Sequence, residues 1–340
     1  MKNKHVLFLT PFFYPHVGGV EKHVYQISIL LVRKGFSVSV VTVKHNKNLK
    51  AYEEVKGIKI YRIPYFPSNK LAKYKIWPWF VKYRNLFHSS DIIHCHDVFF
   101  WYFPFRFLLP QKKVYTTFHG YESYPVSQKA IIIRKISEKL SFGNICIGRF
   151  IEKWYGTKAD YISYGGVNIV QSSKLKVKSD NALFIGRLDE QTGIKTYVDA
   201  IELIRKKVPN FKLTVIGDGK FKNQIIKQVN LIGWKKNPEK YFSSHRFAFV
   251  SRYLSILEAM AAKRLVFAVH DNPIKKDYLK MSPFAKNSII TSSPQELADK
   301  VEFYIKHPSA EKKLIEKGYA WVSKQTWERV TDTYVRLWSK

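Results

Sequence analysis

Acidic side chains are scarce in this sequence. Only 26 Asp and Glu stand against 58 Lys and Arg, a formal net charge of +32 over 340 residues. Residues 1–168 carry +17 of it and residues 169–340 carry +15, so a basic tail is excluded as its source. A surface of this kind attracts polyanions: nucleic acid, anionic headgroups or phosphorylated substrates. Cysteine is nearly absent. Cys95 and Cys146 both lie in apolar strand-like runs without metal-ligand spacing, which excludes a disulfide framework and fits reduced core residues of a cytoplasmic protein. Nor is there a run approaching the ~20 apolar residues of a spanning helix. The longest candidate, 98–109, is interrupted by Pro104 and Arg106. The apolar stretch after Met1 is short, is followed by Pro11 and Pro15 and lacks a small-residue cleavage site, so it reads as a strand rather than a secretion signal. Such a protein can rest on a membrane but does not cross it.

What is present is a repeated grammar. The 46% apolar content and the length suit two packed domains. Short apolar runs at 5–10, 37–43, 91–95, 114–118, 144–147 and 161–164 alternate with helical periodicity, the first helix opening at Gly18-Gly19 and closing at Gly35. A polar stretch at 169–180 reads as a linker, after which strands at 182–185, 212–216, 229–232, 247–250 and 265–269 alternate with helices at 193–207 and 220–228. This predicts an α/β protein of two Rossmann-like, doubly wound domains facing a central cleft. The first domain is expected over 1–168 plus a returning C-terminal helix at about 326–340, and the second over 169–325.

One segment breaks the pattern. Between Arg62 and Ser90 no acidic residue occurs, while Lys70, Lys73, Lys75, Lys82 and Arg84 interleave with Tyr65, Phe66, Tyr74, Trp77, Trp79, Phe80 and Tyr83. Phe99-Phe-Trp-Tyr-Phe103, Phe105 and Phe107 follow. Aromatics beside cations suit an anionic membrane interface; an inter-strand packing cluster with a basic rim is the alternative. Nucleic acid could stack on the same rings, but no binding module is recognisable and nucleic acid is not the expected partner.

Candidate chemistry sits at strand ends. His119, followed by Gly120 and Glu122, ends one strand of the first domain, where an imidazole can donate to a sugar or anionic oxygen. His94 and His96 share a strand face and are read as packing and supporting groups, with no third metal ligand in view. Arg187 in Gly186-Arg187-Leu188 offers a donor fork suited to a diphosphate. Gly217-Asp218-Gly219 permits close ligand approach, as do Gly18 and Gly19 on the other domain. Glu258 is expected in or near the first turn of a helix after the strand at 247–250. There Ser255 and Glu258 fit either a capping box or a ribose-binding site.

The order of these elements resembles the glycosyltransferase family 4 group with the GT-B fold. The segments that carry the resemblance are 15–23 (Pro-His-Val-Gly-Gly-Val-Glu-Lys-His), 91–96, 117–122 (Thr-Phe-His-Gly-Tyr-Glu), 164–168, 184–189 (Phe-Ile-Gly-Arg-Leu-Asp), 217–219 and 257–262 (Leu-Glu-Ala-Met-Ala-Ala). The resemblance implies a retaining transferase moving a hexose from a UDP- or GDP-linked donor without an obligatory metal or other cofactor. Its acceptor would be a glycan or a polyprenyl-phosphate or other lipid-linked molecule on the inner face of a membrane. By match to the family pattern, His119, Arg187 and Glu258 are the catalytic group. Lys195, Gly217, Gly219, Ser251, Tyr253 and Ser255 join Arg187 and Glu258 around the donor, and Gly18, Gly19 and Glu122 shape the acceptor side. Two positions depart from the family. Thr192 stands where a lysine is usual, and Val250 stands where the first of two paired glutamates is usual, with about four loop residues fewer before Leu254 by motif comparison. A non-catalytic nucleotide- or glycan-binding protein is the alternative these departures suggest.

Overall fold

In the computed structural model, residues 3–64, 76–169 and 180–340 are described. The expected membrane residues Tyr65, Phe66, Lys70, Lys73, Tyr74 and Lys75, and most of the linker, lie outside them. The chain divides into two compact units, 1–163 with 327–340, and 164–326.

Among its described residues the first unit holds eight strands: β1 (His5–Leu9), β2 (Ser37–Val43), β3 (Tyr52–Val55), β4 (Ile58–Ile63), β5 (Ile92–His96), β6 (Lys113–His119), β7 (Gly143–Ile147) and β8 (Tyr161–Ser163). Their order is β3-β4-β2-β1-β5-β6-β7-β8. All neighbours are parallel except β3 and β4, a hairpin at one edge. Its turn residues Lys56 (φ 52°) and Gly57 (φ 77°) both have positive φ, the backbone that matches strand twist in a two-residue hairpin. Central strands such as β5 and β7 are buried throughout, as helix-covered parallel strands must be. Strand order reverses between β1 and β5, and ligands of such sheets bind beyond the carboxyl ends at that point.

Much of the aromatic segment is core. Phe80, Phe87, Trp101, Tyr102 and Phe105 pack with Leu7, Leu9 and Ile93, and the Phe87 and Phe105 rings stack at 5.5 Å. Those side chains are thus turned inward, on one face of the helices Ile76–Lys82 and Phe99–Leu108, while Phe103 and Phe107 remain exposed. The last helix, Trp327–Trp338, buries Trp327, Tyr334 and Trp338 within this first unit. It lies along the helix Gly19–Arg33, with Lys34 and Asp332 paired at 2.9 Å.

The second unit holds β9 (Asn181–Ile185), β10 (Lys212–Ile216), β11 (Asn230–Leu231), β12 (Phe247–Phe249), β13 (Leu265–Val269) and β14 (Ile289–Thr291), in the order β11-β10-β9-β12-β13-β14 and all parallel. The reversal falls between β9 and β12. Residues 164–168, expected at the end of the first domain, group with this unit: Tyr164 donates to Met281 O (3.3 Å) and Val167 N to Gln325 O (2.9 Å).

Candidate functional site

In the first unit, β6 delivers His119 to its carboxyl end, and the chain then turns at Gly120 (φ 66°). Three further imidazoles converge there. His96 Nδ1 lies 2.9 Å from His119 Nε2, and the His23 ring meets that of His119 edge-on at 5.0 Å. The C-terminal helix completes the cluster. Tyr334 OH contacts both His23 Nε2 (2.9 Å) and Thr117 Oγ1 (2.8 Å). His94 Nε2 is 2.8 Å from Thr117 Oγ1, and Trp338 Nε1 donates to His94 Nδ1 (3.1 Å). His94 and His96 therefore pack and bond behind His119. Burial holds all four imidazoles neutral, pushing His23 down to about 3 and the others well below the ordinary histidine range. Neighbouring imidazoles reinforce this at His94, His96 and His119, and Arg134 adds to it at His119. A neutral His119 whose Nε2 is engaged has Nδ1 left for a ligand. Sequence reasoning missed His23, although it closes the 15–23 motif; one residue's place on the helix face gave no sign of what the C-terminal helix brings to it.

The loop after His119 is held from below. Asp97 Oδ1 accepts the His119 N–H (2.9 Å). Arg134 donates to Gly120 O (3.0 Å) and Glu122 Oε1 (2.8 Å), and Tyr155 OH donates to Glu122 Oε2 (2.5 Å). Burial works against the Glu122 charge, but Arg134 and the Tyr155 hydroxyl hold its carboxyl below the usual range. Glu122 thus braces the His119 loop. On the β1 side of the switch point, Gly18 is the N-cap of Gly19–Arg33 in an extended conformation. A Cβ on Gly18 would lie 2.2 Å from Glu21 Oε2, whose carboxylate also meets His16 Nδ1 at 2.7 Å. Glycine here makes room for that carboxylate.

In the second unit, Arg187 follows β9 and is largely exposed, its Nε 3.2 Å from Asp189 Oδ2. The two glycines of Gly217-Asp218-Gly219 are needed for loop-on-loop packing. A Cβ on Gly217 (φ 156°) would come within 1.9 Å of Gly186 O, and one on Gly219 (φ 152°) within 2.7 Å of Leu188 O. Leu188 N donates to Asp218 O (2.9 Å), so the second loop braces the one that carries Arg187. Lys195 sits one residue into the helix Ile194–Lys207 with its ammonium 4.1 Å over the Phe221 ring. Thr192 is buried, its hydroxyl donating to Arg187 O and Asp189 O (both 2.8 Å).

After β12 the helix Tyr253–Ala261 begins within four residues, and this decides whether Ser255 and Glu258 form a cap. Its N-cap is Arg252, without a side-chain cap, so the Ser255/Glu258 capping box does not form and Glu258 falls in the second turn, partly exposed. The first helical N–H, that of Tyr253, donates instead to Tyr278 OH (2.9 Å), and Tyr253 OH donates to Tyr278 O (2.6 Å). Ser251 Oγ lies 2.6 Å from Tyr197 OH and accepts the Val269 N–H (2.9 Å). The hydroxyls of Ser251 and Tyr253 are therefore committed inside the unit, while Ser255 reaches Ile185 O at 3.4 Å. Lys275 is fully buried beneath this turn, donating to Ser251 O (2.5 Å); burial, with Arg252 nearby, lowers its pKa well below the lysine range.

Sequence patterns agree with this geometry. Residues 17–161 match the pattern described as Glycosyltransferase Family 4, and residues 168–321 match that of Glycosyl transferases group 1. The chain belongs to the family 4, group 1 glycosyltransferases. Among curated family relatives, the phosphatidylinositol N-acetylglucosaminyltransferase GPI3 subunit of Saccharomyces cerevisiae is 30% identical over 94 residues, 27% of this chain and 21% of that protein. A phosphatidylinositol N-acetylglucosaminyltransferase subunit of Homo sapiens is 29% identical over 102 residues, 29% of this chain and 21% of that protein. The match spans about a fifth of the length of these relatives. Among solved structures, a sucrose-phosphate synthase from Thermosynechococcus elongatus aligns with a TM-score of 0.77 at 16% identity, covering 99% of this chain and 98% of that one. Anabaena HepE in complex with UDP aligns at 0.73 and 16% identity, covering all of both chains. At such identities the likeness establishes the GT-B fold. Within the family, this member carries Val250 buried in a short β12-to-helix connection.

Proposed function

We propose that the protein is a retaining glycosyltransferase that moves a hexose from a UDP- or GDP-linked donor to a lipid-linked or glycan acceptor at a membrane surface. The observation that carries this reading is the second unit's switch point. Arg187 follows β9 and the helix bearing Glu258 follows β12, and these are adjacent strands on either side of the order reversal. In this reading Arg187 and Lys195 meet the donor diphosphate, with backbone N–H groups of the helix start adding to them, and Glu258 accepts hydrogen bonds from the ribose diol. Fixed cations and amides there stabilise the charge that develops as the nucleoside diphosphate departs, without calling on a metal. His119 and the Gly18-Gly19 loop serve the transferring sugar and the acceptor. A lipid acceptor is supported by the substrate named for the fungal and human relatives, and a UDP donor by the ligand of HepE.

A second reading, nucleotide binding without turnover, is favoured by Val250 in place of an acidic residue. A panel of UDP-, GDP- and ADP-sugars separates the two. Melting temperature should rise with one donor class, and Arg187→Ala and Glu258→Ala should each weaken that donor by about 10- to 100-fold, the worth of a charge-assisted hydrogen bond. Donor hydrolysis or transfer, lost in His119→Ala, selects the enzyme; binding without either selects the second reading. No shift with any nucleotide sugar overturns both.

A further inference from the structure

The helix Gln128–Leu140 is inside out. Its buried residues are Arg134 and Ser137, whereas Ile132, Ile133 and Ile136 are exposed, Ile132 by 56%. Exposed Lys129 and Lys139 share the outward face at helical spacing, one at each end of the isoleucine stripe. An amphipathic helix ordinarily turns its apolar stripe to the core.

This helix cannot rotate to do so. Arg134 is tied to Gly120 O and Glu122 and lies 3.9 Å from the Tyr155 ring centroid. Beside this inner face lies an open cavity of about 230 Å³, lined by Asp97, Glu122, Arg134 and Ser137 together with Phe99 and Phe118, and the exposed Lys129 and Ile133 stand at its rim. The neighbouring helix Phe99–Leu108 also exposes apolar side chains near the end of this one. Arg106 donates to Leu140 O (2.9 Å) and lies under the exposed Phe142 ring (5.4 Å), and Phe107 and Leu108 beside it are 62% and 70% exposed. Seven of the sixteen large apolar side chains exposed among the described residues are on these two helices or at Phe142. A concentration of exposed apolar side chains on neighbouring elements is the composition of an interaction site.

We infer that this face docks on an anionic lipid bilayer, with the isoleucines and Phe107, Leu108 and Phe142 entering the headgroup boundary. Charge chooses the occupant. Residues 98–142 carry seven Lys and Arg against two Glu; Arg134 and Lys135 pair with those glutamates, which leaves an excess of five positive charges, with Lys129 and Lys139 exposed on this helix. A second copy of the chain would bring the same lysines face to face, whereas anionic headgroups complement them and let their stems lie along the apolar stripe. The surface differs from the aromatic one that the sequence suggested. It deepens the membrane part of the proposed function and rests on that part alone, not on any donor chemistry. Through Arg134, the docked helix also holds the loop that carries His119.

Co-sedimentation of the full chain with vesicles of phosphatidylcholine and phosphatidylglycerol in equal parts tests the inference, with phosphatidylcholine vesicles alongside. Wild type should partition onto the mixed vesicles and less onto the neutral ones. Replacing Ile132, Ile133 and Ile136 together by Ser should lower partitioning at least about tenfold, with circular dichroism and nucleotide-induced melting shift unchanged. The double variant Lys129→Glu with Lys139→Glu should lose the preference for mixed vesicles, and Phe303→Ser on the second unit should change nothing. Equal binding by wild type and the isoleucine variant overturns the inference, as does a wild type that ignores both vesicles. So does a wild-type dimer in sedimentation that the isoleucine variant converts to monomer. Because binding is read without donor or acceptor, its failure is distinct from failure of the transferase reading.

Discussion

Replacing Gly217 by alanine tests how the Arg187 loop is held. The added Cβ would stand 1.9 Å from Gly186 O, far inside the 3.0 Å that such atoms do not approach, and the obstacle is backbone. The φ of 156° adds strain for any L side chain, about 1–3 kcal/mol. Relieving the clash requires the two loops to part by more than an ångström. That opens Gly186 N→Ile216 O (3.1 Å) and Leu188 N→Asp218 O (2.9 Å), each a net loss of about 1 kcal/mol. Together these reach about 4 kcal/mol, a large part of the ~5–15 kcal/mol that holds a domain. Gly35→Ala supplies the control: its φ is 86° but nothing lies within 4 Å of the added atom, so only the conformational cost of about 1 kcal/mol applies. Urea denaturation followed by circular dichroism should show the early transition in the Gly217 variant, and nucleotide affinity should fall with it as Arg187 shifts. A Gly217→Ala stability within about 1 kcal/mol of the Gly35→Ala value would refute the bracing argument.

Acid should weaken the first unit. Its buried histidines have depressed pKa values, so below about 6.5 the unfolded chain takes up protons that the folded unit refuses, and stability falls as pH falls. For His23, His94 and His96 the loss between pH 6.5 and 5.5 is about 3 kcal/mol. Asp97 offsets part of it, because burial raises its carboxyl to about 7 and the folded unit takes up that proton first. The net loss is seen as a lower melting temperature, and a rise in stability across that window would contradict neutral burial. Restoring the family lysine by Thr192→Lys should destabilise the second unit by about 2–4 kcal/mol, since it buries an ammonium and removes two hydroxyl hydrogen bonds. Nucleotide titration should show weaker binding too; a stable, tighter-binding Thr192→Lys protein would mean that the site has room for that side chain.

Strand-and-helix grammar was readable because buried parallel strands are short apolar runs with turn residues between them. The β3–β4 hairpin escaped that reading, since Tyr52–Val55 is a partly exposed edge strand with two glutamates and no apolar run. Candidate positions at strand ends were legible from motif order, and the fold places Arg187 and Glu258 beyond neighbouring strands. Direction and environment were not legible. Ser251 and Tyr253 look like ligand residues in sequence, yet Tyr197, Tyr278 and Val269, all distant in the chain, engage their hydroxyls. Periodicity marks which residues share a helix face without saying which face is covered. In sequence the isoleucines of 132–136 therefore carry no mark of exposure, and the buried rings of 99–105 read as surface.

The C-terminal helix carries a consequence for how the chain is made. Tyr334 and Trp338 close the histidine cluster, but they are synthesised only after all of 164–326. A nascent chain can finish its second unit while His23, His94 and Thr117 of the first still lack the contacts that Tyr334 and Trp338 supply. Unpaired polar groups in an apolar interior are costly, so the emerging first unit stays loose until its closing segment arrives. Vectorial synthesis thus lets residues 164–326 fold before the first unit can close, and the histidine cluster is completed only after they have been made.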